Sequence, residues 1–232
     1  MPAIPVYCPI VKLFNMTPEP IRVIASAWKA MHGQVLIEPG HIGTKSAVDA
    51  FREIIEHQHK TSFEYVHFVF GLENVSRAFQ QQLTRHRIGV SFSIQSLRQV
   101  NLEDNFKYVV PHNIRSNEDA KEFYQDSMDC IYNLYVEALD NNMPVEAARG
   151  LLPLNICSNI TMSINYRALF EMANQRFCET TQGEFQDVMY AIRDRISAKN
   201  ALLGAALMSR CEYTKVCNQG RWSCGKYPTT KG

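Results

Sequence analysis

The chain has 232 residues, 46% of them hydrophobic and 20% charged, with a formal net charge of +1. That mix supports one sizeable core and excludes a disordered chain; single cores stop growing only above about 250–300 residues. Near-neutral charge gives no electrostatic case for nucleic acid or a membrane surface. No apolar run is long enough to cross a bilayer, and the N-terminal segment lacks the pattern of a signal peptide, so the expected address is the cytoplasm.

Residues 5–14 read as an opening strand. Thr17 is placed to cap a helix that starts at Pro18 and ends near Gly33, with proline inside the start and glycine past the end. Residues 34–45 read as a loop and 46–57 as a second helix. The β-branched and aromatic run 63–72 predicts a strand. Helical spacing over 75–87 is followed by strand-like alternation over 91–100, and 106–110 extends the sheet before Pro111. A long helix follows, opened by a capping-box variant at Ser116 and Asp119. Its apolar face is Phe123, Tyr124, Met128, Ile131, Tyr132, Tyr135 and Leu139. Pro144 starts a short helix through Arg149, residues 155–164 make a weak strand, and helices cover 165–176 and 184–209. Strands and helices do not alternate regularly. The prediction is an α+β fold: a mixed or antiparallel sheet with helices packed on it, one domain over 1–209, then a Cys/Gly-rich tail over 210–232.

The richest stretch is Gln80-Gln81-Gln82-Leu83-Thr84-Arg85-His86-Arg87. Read as a helix, Val75, Ala78, Phe79 and Leu83 form an inward stripe that Gln82 and His86 prolong. Polar groups in that position need partners or a ligand. On the strand expected next, Ser96 and Arg98 share a face, where a hydroxyl and a guanidinium fork can hold one phosphate. For an isolated Arg-His-Arg, a solvated basic helix end is the commoner arrangement; the Ser-x-Arg continuation shifts the balance. A single-strand or RNA-binding platform built on Arg77, Arg85, Arg87 and Arg98 is the competing reading, which the near-neutral charge disfavours.

Arg85-His86-Arg87 followed after eight residues by Ser96 resembles the signature of the flavin-dependent thymidylate synthases. The flanks resemble the same family in the same order. They are His59-Lys60-Thr61 through Glu64, Val75-Ser76-Arg77-Ala78, Gln82-Leu83, Ala148-Arg149 with Leu152-Pro153-Leu154, Asn165-x-Arg167-Ala168-Leu169, then Arg176, Gln182 and Glu184. The likeness covers roughly residues 17 to 195, which makes chance agreement a poor explanation.

The resemblance implies FAD as cofactor, methylenetetrahydrofolate and NADPH as co-substrates, dUMP as substrate and a homotetramer with sites shared between subunits. It places His59, Thr61, Arg85, His86, Arg87, Asn165 and Arg167 at the flavin. Gln82, Arg85, Ser96, Arg98, Arg149 and Arg176 fall at the nucleotide. The catalytic candidates are Arg176, stabilising developing enolate charge, and Ser96, which holds phosphate without acting as a nucleophile. Ser93, Ile94, Glu171, Thr180 and Gly183 depart from the commonest members, which leaves UMP or dCMP as substrate, or hydroxymethylation, open. The seven cysteines are odd in number and scattered. Cys178, Cys211, Cys217 and Cys224 either supply zinc ligands or stand as reduced thiols in a packed tail, and their spacing lacks a CxxC knuckle. Metal catalysis is a poor reading of the histidines.

Overall fold

The computed structural model describes residues 3–229. In chain order the elements are β1 (Ile4–Val6), β2 (Ile10–Met16), α1 (Pro20–Met31), α2 (Thr44–Glu56), β3 (His67–Ser76), α3 (Arg77–Leu83), β4 (Val90–Ile94), β5 (Lys107–Val109), α4 (Glu118–Asp140), α5 (Val145–Ala148), β6 (Cys157–Asn165), α6 (Tyr166–Arg176), α7 (Gly183–Ser197), α8 (Ala201–Ala205) and α9 (Arg210–Thr214). Short 3-10 turns include Thr61–Tyr65 and Arg149–Leu151. The main sheet has the order β2-β3-β6-β4 with every neighbouring pair antiparallel, and β1 pairs with β5 in a separate parallel ribbon. The α+β expectation holds.

Alternation explains how the sheet buries one face. Phe68, Phe70 and Leu72 of β3 and Ile160, Met162 and Ile164 of β6 are buried together. Onto them pack apolar stripes at helical spacing: Ile21, Ile24, Ala25 and Trp28 of α1; Ala47, Ala50, Phe51 and Ile54 of α2; Phe185, Val188, Met189, Ile192 and Ile196 of α7. The opposite sheet face is small and polar, with Ser91, Ser93, Thr161 and Ser163 exposed; Ser91 pairs with Ser163 and Ser93 with Thr161. A second cluster joins Phe106, Tyr108, Tyr132, Tyr135, Leu97 and Ala148, so the loop after β4, α4 and α5 share one small core.

Several boundaries differ from the sequence-based expectation. The opening strand divides at Tyr7–Pro9, and its halves join different sheets; Pro9 has no N–H for a continuous ladder. Thr17 does not cap α1. It exchanges hydrogen bonds with His67, accepting from His67 N at 2.9 Å and donating its N–H to His67 O at 3.0 Å, so the sheet margin holds it and α1 waits until Pro20. The cap of α4 is Asn117, whose Oδ1 accepts from Ala120 N at 3.1 Å, one residue past Ser116. The expected 184–209 helix is broken at Asn200, which is extended and caps α8 through Leu203 N. Ser62 and Phe63 lie in the 3-10 turn Thr61–Tyr65, and β3 starts only at His67. The tail packs onto the body through the Tyr213 hydroxyl, which donates to Ile55 O, and through Lys226 at 3.2 Å from Glu179.

Candidate active site

Two loop-to-helix junctions organise the polar residues. Ser76 ends β3 and caps α3, its Oγ accepting from Phe79 N at 2.9 Å. The same hydroxyl donates to the buried Glu184, whose other oxygen accepts from Ser76 N at 2.6 Å. Burial pushes the Glu184 carboxyl above its ordinary range, against the pull of the Ser76 hydrogen bonds. α3 is thereby tied to the start of α7. Asn165 is the second junction: it ends β6, caps α6 by accepting from Ala168 N at 2.8 Å, and donates its own N–H to Gly89 O at 2.9 Å. Gly89 has φ +69°, and a Cβ there would lie 2.6 Å from Asn165 Nδ2, so glycine is required for this approach.

α3 stops at Leu83, which corrects the helical reading through Arg87. Arg85, His86 and Arg87 lie in the turn that follows, with Arg85 N bonding Gln82 O and His86 N bonding Leu83 O. The turn separates three side chains that a helix would have rotated around one axis. Arg85 and Arg87 are exposed, and neither side chain makes a hydrogen bond or ion pair among the described residues. His86 turns inward against Arg176 in the last turn of α6. Arg176 Nε donates to His86 Nε2 at 3.2 Å and its Nη1 to Gln82 Oε1 at 3.4 Å, while the guanidinium carbon sits 4.5 Å from the centre of the Phe185 ring. Gln82 Nε2 in turn donates to Gln182.

The electrostatics follow from this packing. Burial first, and then the charge of Arg176, lower the His86 pKa to about 4. Near neutral pH His86 is uncharged, and because Nε2 accepts, its proton is on Nδ1. Arg176 is itself lowered by burial and by Arg85, and among the described residues no carboxylate pairs with it. The constellation is a fixed cation with a neutral imidazole and a chain of amides: an arrangement that can meet negative charge developing on a ligand carbonyl.

The flavin candidates are divided: His86 meets Arg176 at one end of α6, while Asn165 and Arg167 stand at the other. Arg167 is clasped by Glu64 and, at 3.2 Å, by Glu171. Those two hydrogen bonds raise its pKa, and the Glu64 contact binds the Thr61–Tyr65 turn to α6. His59 and Thr61 precede and open that turn, His59 exposed and its ring centre 5.3 Å from that of His57. Lys60 closes α2, donating to the carbonyls of Ile54, Ile55 and His57.

The remaining candidates form a third group. Ser96 and Arg98 do not share a strand face, because β4 ends at Ile94 and both lie in the turn beyond it. That turn is held by Gln99 N and Val100 N, each donating to Ser96 O at 3.2 Å. Arg98 Nε pairs with Glu146 of α5 at 3.0 Å, which ties this turn to the helix that Arg149 follows.

A profile of the thymidylate synthase complementing protein family matches residues 12–199. A flavin-dependent thymidylate synthase of Nitratidesulfovibrio vulgaris is 32% identical, over 95% of this chain and 96% of the relative. One from Geobacter sulfurreducens is 30% identical over the same shares. The chain belongs to the flavin-dependent thymidylate synthase family. Among solved structures, a UMP/dUMP methylase, PolB of Streptomyces cacaoi, bound with 5-Br dUMP, superposes with a TM-score of 0.74. It covers 88% of this chain and 96% of its own at 17% identity, a likeness of fold alone.

Sequence reasoning missed several residues of this candidate site. Phe185 beneath Arg176 belongs to a helix whose apolar stripe reads as plain core. Glu171 offered a signal, four residues after Arg167 on one helix face. Gly183 stands where a Cβ would meet the His112 ring, and His112 in turn bonds Asp187. Cys178, Cys211 and Cys217 line a cavity of about 580 Å³ beside Gln82, Arg176 and Gln182, and Cys224 is absent from its lining. Among the described residues no group of three or more His, Cys, Asp or Glu could hold a metal ion. No helix among them is long and apolar enough to cross a membrane.

Proposed function

We propose that this chain, as a homotetramer, transfers the one-carbon unit of methylenetetrahydrofolate to C5 of dUMP, with FAD as the flavin and NADPH as reductant, giving dTMP. The observation that carries the proposal is the Arg176–His86–Gln82 constellation, a cation that no carboxylate pairs with among the described residues, beside a neutral histidine. The residues present fit a flavin nucleotide. Gly89 lets the loop pack directly against Asn165, and the Arg85 and Arg87 side chains, without a partner among the described residues, stand ready for a diphosphate. When bound, FAD carries the reducing equivalents that turn the transferred carbon into a methyl group.

The protein's own work is positioning and charge. Arg176 offers a planar donor pair to a pyrimidine oxygen, with Phe185 and Gln82 fixing its plane. Neutral His86 holds Arg176 by its lone pair without adding a second positive charge. Ser96, Arg98 and Arg149 take the phosphate, for which Arg98 exchanges Glu146 for the ligand. The Ser96 hydroxyl bonds no base among the described residues, which suits a phosphate donor better than a nucleophile. Arg167 serves flavin through the frame it builds with Glu64 and Glu171, since its donors already meet those carboxylates.

The tetramer is supported by the spread of the groups. Asn165 and Arg176 lie at opposite ends of an 11-residue helix, about 16 Å long at 1.5 Å per residue, and the small polar face of the main sheet is uncovered. The test is turnover of FAD-loaded protein with NADPH and methylenetetrahydrofolate on dUMP, UMP and dCMP, with product mass read directly. Methylated product from dUMP is expected. A hydroxymethylated product, or turnover of UMP or dCMP alone, contradicts the proposal.

A further inference from the structure

Gln182 is the N-cap of α7, yet its side chain makes no capping bond there. Glutamine suits that place poorly, since serine, threonine, asparagine and aspartate can accept the free N–H groups of the first turn. The side chain goes elsewhere: its Oε1 accepts from Nε2 of Gln82, 100 residues earlier. That contact fixes the sense of the Gln82 amide. An arginine carries donors alone, so Gln82 can meet Arg176 only with its oxygen, which accepts from Nη1 at 3.4 Å, and its N–H groups must point away. Gln182 supplies the acceptor that holds them there. Turned the other way, Gln82 would set donors against a cation. The two neutral acceptors of Arg176 are Gln82 Oε1 and His86 Nε2, so losing the first leaves a long side chain free to turn. Gln182 itself is firmly mounted, because the turn of α7 that it opens is pinned on three sides. Glu184 accepts from the N–H and hydroxyl of Ser76, His112 packs against Gly183 with its Nε2 2.5 Å from Asp187 Oδ2, and Gln186 Nε2 donates to Cys178 O at 2.7 Å.

We propose that Gln182 is a positioning residue for transfer to the pyrimidine ring: by fixing the sense of the Gln82 amide, it holds the Arg176 guanidinium in the plane that meets charge growing on a ring oxygen. This rests on the reading of the chain as a nucleotide-methylating enzyme. It accounts for a helix start that carries a residue unsuited to capping, at a place where serine would hold α7 better.

The test follows oxidation of reduced flavin in a single turnover, with dUMP and methylenetetrahydrofolate, on FAD-loaded wild type, Gln182→Ser, Gln82→Met and the double variant. The Kd of dUMP from calorimetry and Tm are measured alongside. Gln182→Ser is expected to slow oxidation about tenfold, the scale of one neutral hydrogen bond, with the Kd of dUMP moved by less than about threefold. Its Tm equals or exceeds that of wild type, because serine caps α7. In the Gln82→Met background Gln182→Ser slows the step no further, since its effect passes through Gln82. An unchanged rate constant in Gln182→Ser overturns the proposal. So does a loss that persists undiminished beside Gln82→Met, or a fall in Tm with rate and dUMP binding weakened alike, which marks a framework role. The Nε–H proton resonance of Arg176, assigned by its loss in Arg176→Lys, separates the two levels. If wild type oxidises no flavin with dUMP and folate, the enzymatic reading fails, and a resonance that broadens in Gln182→Ser still supports the hold of Gln182 on Arg176; the same resonance in both proteins overturns it.

Discussion

Replacing Arg176 by lysine should slow chemistry far more than it loosens the fold. In the ligand-free protein Arg176 makes two hydrogen bonds, at 3.2 and 3.4 Å, and lies 4.5 Å over Phe185. An ammonium keeps the charge but cannot span His86 and Gln82 together. The change removes about one hydrogen bond from a charged donor, roughly 1–2 kcal/mol. For a chain of 232 residues that is a fall of about 2–8 °C in Tm, at about 2–4 °C per kcal/mol. Turnover is expected to drop by about a hundredfold, the scale for losing one fixed donor to a developing oxyanion. An exposed ion pair with Glu179 would have predicted almost no effect, but Glu179 pairs with Lys226. The assay is single-turnover oxidation of the reduced flavin in the presence of dUMP and methylenetetrahydrofolate. A rate constant unchanged from wild type, with unchanged nucleotide affinity, refutes the assignment of Arg176 to the pyrimidine.

Gly89→Ala forces a side chain into a left-handed backbone with its Cβ 2.6 Å from Asn165, so FAD titration should show at least a tenfold weaker Kd; an unaltered Kd removes Gly89 from the cofactor cradle. Ser76→Ala deletes the α3 cap and the hydroxyl bond to buried Glu184, and urea unfolding should register a loss of about 2–4 kcal/mol. His86 gives a pH signature. Its folded pKa of about 4 lies below the ordinary value of 6.5, so between those values the unfolded chain binds a proton the native state refuses. Stability therefore rises with pH through that window and falls as pH drops through it. His86→Gln should flatten the slope relative to wild type, measured as Tm against pH on both proteins so that other titrating groups cancel.

Much of the fold was legible because it rests on local periodicity. The faces of α1 and α2 and the alternation of β6 follow from spacing alone, and the family likeness placed Asn165 on the chemistry side although its first duty is to cap α6. What escaped was set by partners distant in sequence. Nothing local marks the end of α3 at Leu83, since Thr84 and Arg85 tolerate a helix; the turn forms because His86 is drawn to Arg176, 90 residues on. Ser96 and Arg98 alternate as a strand would, yet the last bond to β6 is from Gln95 N to Asn159 O, and the chain then folds into a turn over Leu97. Arg167 showed the same limit: its carboxylate partner Glu64 lies 103 residues away, so a motif that named both could not say that they meet.

The most direct test of the central claim follows a single carbon. Protein loaded with FAD and reduced by NADPH is given dUMP and methylenetetrahydrofolate labelled in the methylene group, and the nucleotide product is isolated. The label is expected in the C5 methyl group of dTMP, with none formed when FAD is withheld. A protein that binds and reduces FAD yet leaves the label in folate, with dUMP unaltered, contradicts the account.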